Sequence, residues 1–177
     1  MDNFDACFSV TDQWEGGFVN NPHDPGGATY RGVTQRVYDG YRRSKGGALQ
    51  SVRRMSPDEC KDIYRTQYWA PAHGSDLPAG LDLCQYDEAV NTGPVQATRL
   101  LQQALGVSVD GAFGFETLGA VQVCKDIPGL IKRVCAARLS FYHRLKTWVY
   151  FGVGWNRRDV GIQAKALAMF AASTGKG

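Results

Sequence analysis

The chain has 177 residues, 44% of them hydrophobic, with five cysteines and a formal net charge of +3. That length fits one domain, or one with a small appendix, and supplies enough apolar side chains for a sizeable core. No apolar run is long enough to span a bilayer, the acidic start "MDNFDACFSV" lacks the basic opening of a signal peptide, and no nucleic-acid-binding motif is present. The small net charge hides an asymmetry: residues 1–92 carry nine Lys/Arg against thirteen Asp/Glu, and residues 93–177 carry eleven against four. A basic second half suits an anionic partner, although a solvated surface would look the same.

Phe4, Cys7, Phe8 and Trp14 share a helical face, which predicts a helix over 2–15 with Glu15 in its last turn, stopped by Gly16 and Gly17. The turn signals "NNP", "DPGG" and "YRG" then separate two β-compatible pieces, Phe18–Val19 and Ala28–Tyr30. They predict a small hairpin or an irregular two- to three-stranded flap. Thr34 can cap a helix over roughly 35–43. "SPDE" at 56–59 is a helix start, with Ser56 as N-cap, Pro57 at the first helical position and Glu59 closing a capping box; that helix should run to about Tyr68.

"APAHGSDLPAG" reads as a loop. A helix over 81–91 should end in "NTGP", and Pro94 should open the next, to Leu105. After the turn-rich "GVSVDGAFG" the rest reads as helical. Apolar positions 130, 134, 137, 141, 145 and 148 form one stripe across 129–150, flanked by Lys132, Arg133, Arg144 and Lys146. A membrane-surface helix can look like this, but a core-packed helix is the preferred reading. The expected fold is therefore mostly α (α+β), a helical body with a small N-terminal β-hairpin flap. Region 1–92 should carry the flap and region 93–177 should be helical, the two docked into one body.

The cysteines at 7, 60, 84, 124 and 135 are scattered, odd in number and without CxxC spacing, so reduced and mostly buried thiols are expected. His23–Asp24 alone is too little for a metal centre, and neither metal nor cofactor is expected.

Two carboxylates, Glu15 and Asp24, lie nine positions apart in this glycine-rich stretch. A helix-end acid, followed by a flap that brings another acid back, makes a cleft of the kind glycoside hydrolysis uses. One acid must keep a proton for the leaving oxygen, and Trp14 and Phe18 are placed to supply an apolar wall beside Glu15. The other must stay ionised to orient water or steady positive charge, and Asp24 lies among turn amides. The residue types alone also allow an exposed helix-end glutamate and an ordinary turn aspartate.

The stretch "EGGFVNNPHDPGGATYRGVT" resembles the signature of glycoside hydrolase family 108, the N-acetylmuramidases of phage endolysins and some bacterial secretion systems. "YW" at 68–69, "DEAVNTG" at 87–93, "LLQQALGV" at 100–107, "VDGAFGFET" at 109–117 and "GVGWNRR" at 152–158 extend the likeness over nearly the whole chain. The last three fall in the family's C-terminal predicted peptidoglycan-binding region.

The resemblance implies a muramidase that cuts the β-1,4 bond between N-acetylmuramic acid and N-acetylglucosamine, with Glu15 as general acid. A second likeness is to T4-type phage lysozymes, whose glutamate is followed by an aspartate after eight intervening residues and a threonine after five more. Here Asp24 keeps the first spacing, while Thr29 follows after four. Thr29 is the expected third residue, placing water with Asp24, and Thr34 is the alternative.

Phe18 and Tyr30 could stack on sugar rings. Asn91 could bind an N-acetyl group or cap its helix, and Asp87 could be a buried hydrogen-bond partner of the substrate site. Trp69 and Trp155 are expected to pack inside.

The implied partner is bacterial peptidoglycan, approached through its negative charge; a monomer is expected, without stable membrane insertion and without nucleic acid. The implied setting is synthesis in the cytoplasm and action in the periplasm or cell wall, after holin-type release in phage lysis or through a dedicated secretion route. A lytic transglycosylase on the same bond and a non-catalytic wall-binding protein are the alternatives.

Overall fold

The computed structural model describes residues 2–19 and 28–175. The chain is mostly helical, with eight α-helices and one two-stranded antiparallel sheet among the described residues. It divides into two compact units: Phe8–Gln67, and Met1–Cys7 together with Tyr68–Gly177.

Helix α1 (Phe4–Asp12), which belongs to the smaller unit from Phe8 onward, ends three residues before Glu15. Two tight turns continue it, Trp14 N–H donating to Thr11 O and Glu15 N–H to Asp12 O. Glu15 therefore sits in a bend beyond the helix rather than in its last turn. The flap follows as β1 (Thr29–Tyr30) and β2 (Val33–Thr34), antiparallel, with Thr29 opposite Thr34 and Tyr30 opposite Val33. Val19 adds a bridge to Thr29, exchanging two backbone hydrogen bonds of 2.8 and 2.7 Å. The expected two- to three-stranded flap is thus present, in very short strands.

Thr34 caps α2 (Gln35–Ser44), its hydroxyl accepting from Val37 N–H. Helix α3 (Pro57–Tyr64) starts with the complete capping box: Ser56 Oγ accepts from Glu59 N–H, and Glu59 Oε2 accepts from Ser56 N–H. A π-helical turn over Arg65–Trp69 follows α3. Glu59 also accepts from Tyr38 and pairs with Arg42, so one side chain ties α2 to the start of α3. Burial is unfavourable to its charge, but these donors hold its carboxyl below the usual range.

The larger unit is built around α4 (Leu81–Thr92), in which every residue from Leu81 to Ala89 is buried. Helices α5 (Pro94–Leu105), α7 (Ile127–His143) and α8 (Trp148–Thr174) pack against it. Helix α6 (Phe115–Val123) lies against α5. Because α4 is covered on all sides, its sequence shows no apolar stripe. Trp69, Phe4 and Tyr86 form an edge-to-face triangle with centroids 5.6–5.9 Å apart.

The stripe over 129–150 does not form one helix. Tight turns at Arg144 and Leu145 close α7, and α8 starts afresh at Trp148. The stacking of His143 on Trp148, centroids 3.8 Å apart, depends on that break. In one continuous helix these two side chains would point about 140° apart. Trp155 is half-buried against Tyr142, Trp148 and Phe151 rather than packed inside, whereas Trp69 is buried as expected. All five cysteines are free and four are buried, with the Cys84 and Cys135 sulfurs 3.8 Å apart. No helix among the described residues is long and apolar enough to cross a membrane.

Candidate active site

Two residues, Arg31 and Gly32, turn the hairpin, and both have positive φ, 48° and 72°. That pair of left-handed residues matches the right-handed twist of the flanking strands. The turn is anchored on two sides. The Arg31 guanidinium grips Asp12 at the end of α1, with Nε 3.1 Å from Oδ1 and Nη2 2.5 Å from Oδ2. Tyr64, at the end of α3, donates its hydroxyl to Arg31 O at 2.8 Å.

Glu15 lies half-buried against this turn. A Cβ added to Gly32 would stand 2.6 Å from Glu15 Oε2 and closer still to the Tyr64 hydroxyl. Gly32 is therefore needed twice, for its backbone angle and for the space the glutamate occupies. The Glu15 field also reaches Cys60. Burial pushes that thiol up to about 11, Asp12 and Glu15 add to the rise, and Arg31 opposes it. The Asp12–Arg31 pair thus sets a neutralised ion pair beside a second, half-buried carboxylate.

The other expected residues of this region are placed as follows. Thr29 and Tyr30 form β1 and are half-buried. Thr34 serves its helix as N-cap. Trp14 and Phe18 are 36% and 38% exposed, and the Arg53 guanidinium lies 5.1 Å from the Phe18 ring centre. Neither aromatic is a core residue, so an apolar wall beside Glu15 would be an open one. Asp24 and His23 lie outside the described residues, and no metal-binding cluster occurs among the described ones.

Asp87 and Asn91 belong to the larger unit. Asp87 is fully buried, with Arg138 Nη2 at 2.7 Å and Arg158 Nη2 at 2.8 Å. Burial works against its charge, but the two guanidiniums outweigh that and hold it below the usual carboxylate range. A carboxylate enclosed in this way is a buried, hydrogen-bonded partner of two arginines and has no surface to offer a sugar directly. Its neighbour Glu88 accepts from Tyr142 at 2.6 Å and pairs with Arg138. Asn91 is exposed and donates back to Asp87 O, within α4; the residue that ends the helix is Gly93.

Sequence reasoning missed Asp12, Arg31 and Tyr64. Asp12 stands three positions before Glu15 and "YRG" was legible as a turn, yet nothing local links the two. Tyr64 follows Cys60 and Ile63 on a buried face, where an aromatic reads simply as core.

A helical body with a short hairpin pinned beside a half-buried glutamate defines a lysozyme-like glycosidase class. Residues 8–93 match the family Glycosyl hydrolase 108, and residues 96–160 match the family described as Predicted Peptidoglycan domain. Among solved structures, SagA of Brucella abortus is similar, with 35% identity over 95% of both chains and a TM-score of 0.81. No curated protein sequence gives a significant match. The chain belongs to glycosyl hydrolase family 108 and is a glycoside hydrolase acting on peptidoglycan.

Proposed function

We propose that the chain is an N-acetylmuramidase that hydrolyses the β-1,4 bond between N-acetylmuramic acid and N-acetylglucosamine. Glu15 is the general acid that gives its proton to the leaving oxygen, and Asp24 and Thr29 position the attacking water. Phe18 and Tyr30 offer ring faces to the sugars. The observation that carries the reading is the Glu15 carboxylate held against the Gly32 turn, inside the segment that matches the glycosidase family.

The anchored turn supports it physically. A proton donor must hold one position relative to the bond it protonates, and Glu15 lies against a turn that Asp12 and Tyr64 anchor. Thr29 is the third residue of this reading, and Thr34, whose hydroxyl accepts the Val37 amide, is the alternative. Action at the cell wall after holin-type release or dedicated secretion, including host lysis by a phage, belongs to the same proposal.

The test is clearance of a peptidoglycan suspension by native chain and by Glu15→Gln, which keeps the shape and removes the transferable proton. Clearance should fall by roughly 10²–10⁴-fold with folding intact. Near-native clearance would remove Glu15 from its role.

A further inference from the structure

The start of α8 exposes apolar side chains that a stable fold has no need to expose. Val149, Tyr150 and Val153 are 77%, 80% and 88% exposed, and Phe151 is exposed beside them. Single exposed valines are ordinary, but a contiguous set marks a binding surface. Part of this surface is concave. A cleft of about 640 Å³ is lined by His143, Trp148, Val149, Gly152, Val153 and Asn156.

The floor of the cleft depends on Gly152. A Cβ there would stand 2.6 Å from two carbons of the Trp148 ring system, so only glycine lets the indole lie along the helix backbone. His143 stacks on the same indole.

The wall chemistry is mixed in a specific way. Valines and an indole offer apolar surface, while the His143 imidazole and the Asn156 amide offer hydrogen bonds at its edge. An N-acetylated sugar has both complements, an apolar ring face and methyl group beside hydroxyls and an amide. The charge of the surrounding segment points the same way. From His143 to Arg157 there is no acidic residue, and Arg144, Lys146 and Arg157 are all exposed. Such a basic segment suits the carboxylates of the peptides that hang from the glycan. A membrane contact would need neither the concavity nor the two polar groups.

We infer that this cleft is a second glycan-binding site, which holds an N-acetylated sugar of the peptidoglycan strand with His143 and Asn156 as its polar contacts. The inference rests on the peptidoglycan reading above and assigns the wall-binding role to named residues.

The test is co-sedimentation of the full-length Glu15→Gln chain with purified, insoluble peptidoglycan, with Asn156→Ala and Val153→Asp added singly. Both positions are exposed, so the fold should tolerate either change, and unchanged melting checks this. Val123→Asp, at another exposed valine, controls for the added charge. The expected result is affinity weakened about tenfold or more by each cleft substitution and within about twofold for Val123→Asp.

Sedimentation by the cleft variants equal to that of their parent would overturn the inference, as would parent binding to phosphatidylglycerol vesicles that the same substitutions abolish. Release of reducing sugars by the native chain, measured on the same material, separates the two readings. Cleavage with undiminished variant binding removes the cleft alone. Absence of both cleavage and binding removes the muramidase reading and the cleft together.

Discussion

Gly32 and Glu15 are in such close approach that a methyl group on the glycine would stand 2.6 Å from the glutamate Oε2. Gly32→Ala should therefore act twice. It should cost about 1–3 kcal/mol of stability, from the left-handed backbone angle and the clash. It should also displace the glutamate and lower turnover on peptidoglycan by at least about tenfold. Thermal melting and initial rates on the same preparation check this, and an unchanged rate at normal stability would mean the carboxylate is not used where it lies.

Arg31 should matter more for rate than for folding. Its pair with Asp12 is about a quarter exposed on both sides, which limits its worth to roughly 1 kcal/mol or less. Arg31→Lys keeps the charge but cannot make the two-pronged contact that fixes the hairpin tip. Its melting temperature should stay close to native while its rate falls several-fold, and Arg31→Ala should fall further. Equal rates for all three would detach the turn from catalysis.

Helix α4 carries the opposite kind of residue. Asp87→Ala would leave the buried Arg138 and Arg158 without their shared partner, and a loss of about 3–5 kcal/mol in urea unfolding is expected. A loss below about 1 kcal/mol would contradict the buried network.

The network also has a pH signature. Burial pushes Asp159 up to about 6, with Glu88 and Asp87 adding to the rise and Arg138 opposing it. The folded state therefore holds this proton more tightly than the unfolded chain. Its contribution is fully present below the unfolded value near 4 and is lost as pH rises through about 6. Asp159→Asn should remove that share. The stability difference between native chain and variant should shift by about 1–2 kcal/mol between pH 4 and pH 7, against the native chain as pH rises. Urea unfolding across that range checks the sign, and parallel curves would contradict it.

What was legible in the sequence was mostly local. The capping box at Ser56 and Glu59 and the Thr34 cap close hydrogen bonds within a few residues, and Pro94 starts its helix through its own fixed backbone angle, so their chemistry is written in consecutive letters. The reach of α1 and the break between α7 and α8 were not legible. An apolar stripe continues across a tight turn without changing its spacing, and the break shows only in the turns at Arg144 and Leu145 and in the His143–Trp148 stack. The core position of α4 was hidden for a related reason, since burial on every side erases periodicity. At the candidate site, Glu15 stood out through its glycines and its family likeness. Asp12, Arg31 and Tyr64 did not, because they meet only when the hairpin folds back on α1 and α3. Asp24 lies outside the described residues.

Mass spectrometry of the soluble products from purified peptidoglycan, with native chain and Glu15→Gln side by side, tests the central claim most directly. The account predicts fragments with reducing N-acetylmuramic acid ends from the native chain, and their disappearance in the variant. Fragments ending in 1,6-anhydro sugar would contradict it, because they form without the water that Asp24 and Thr29 are proposed to hold.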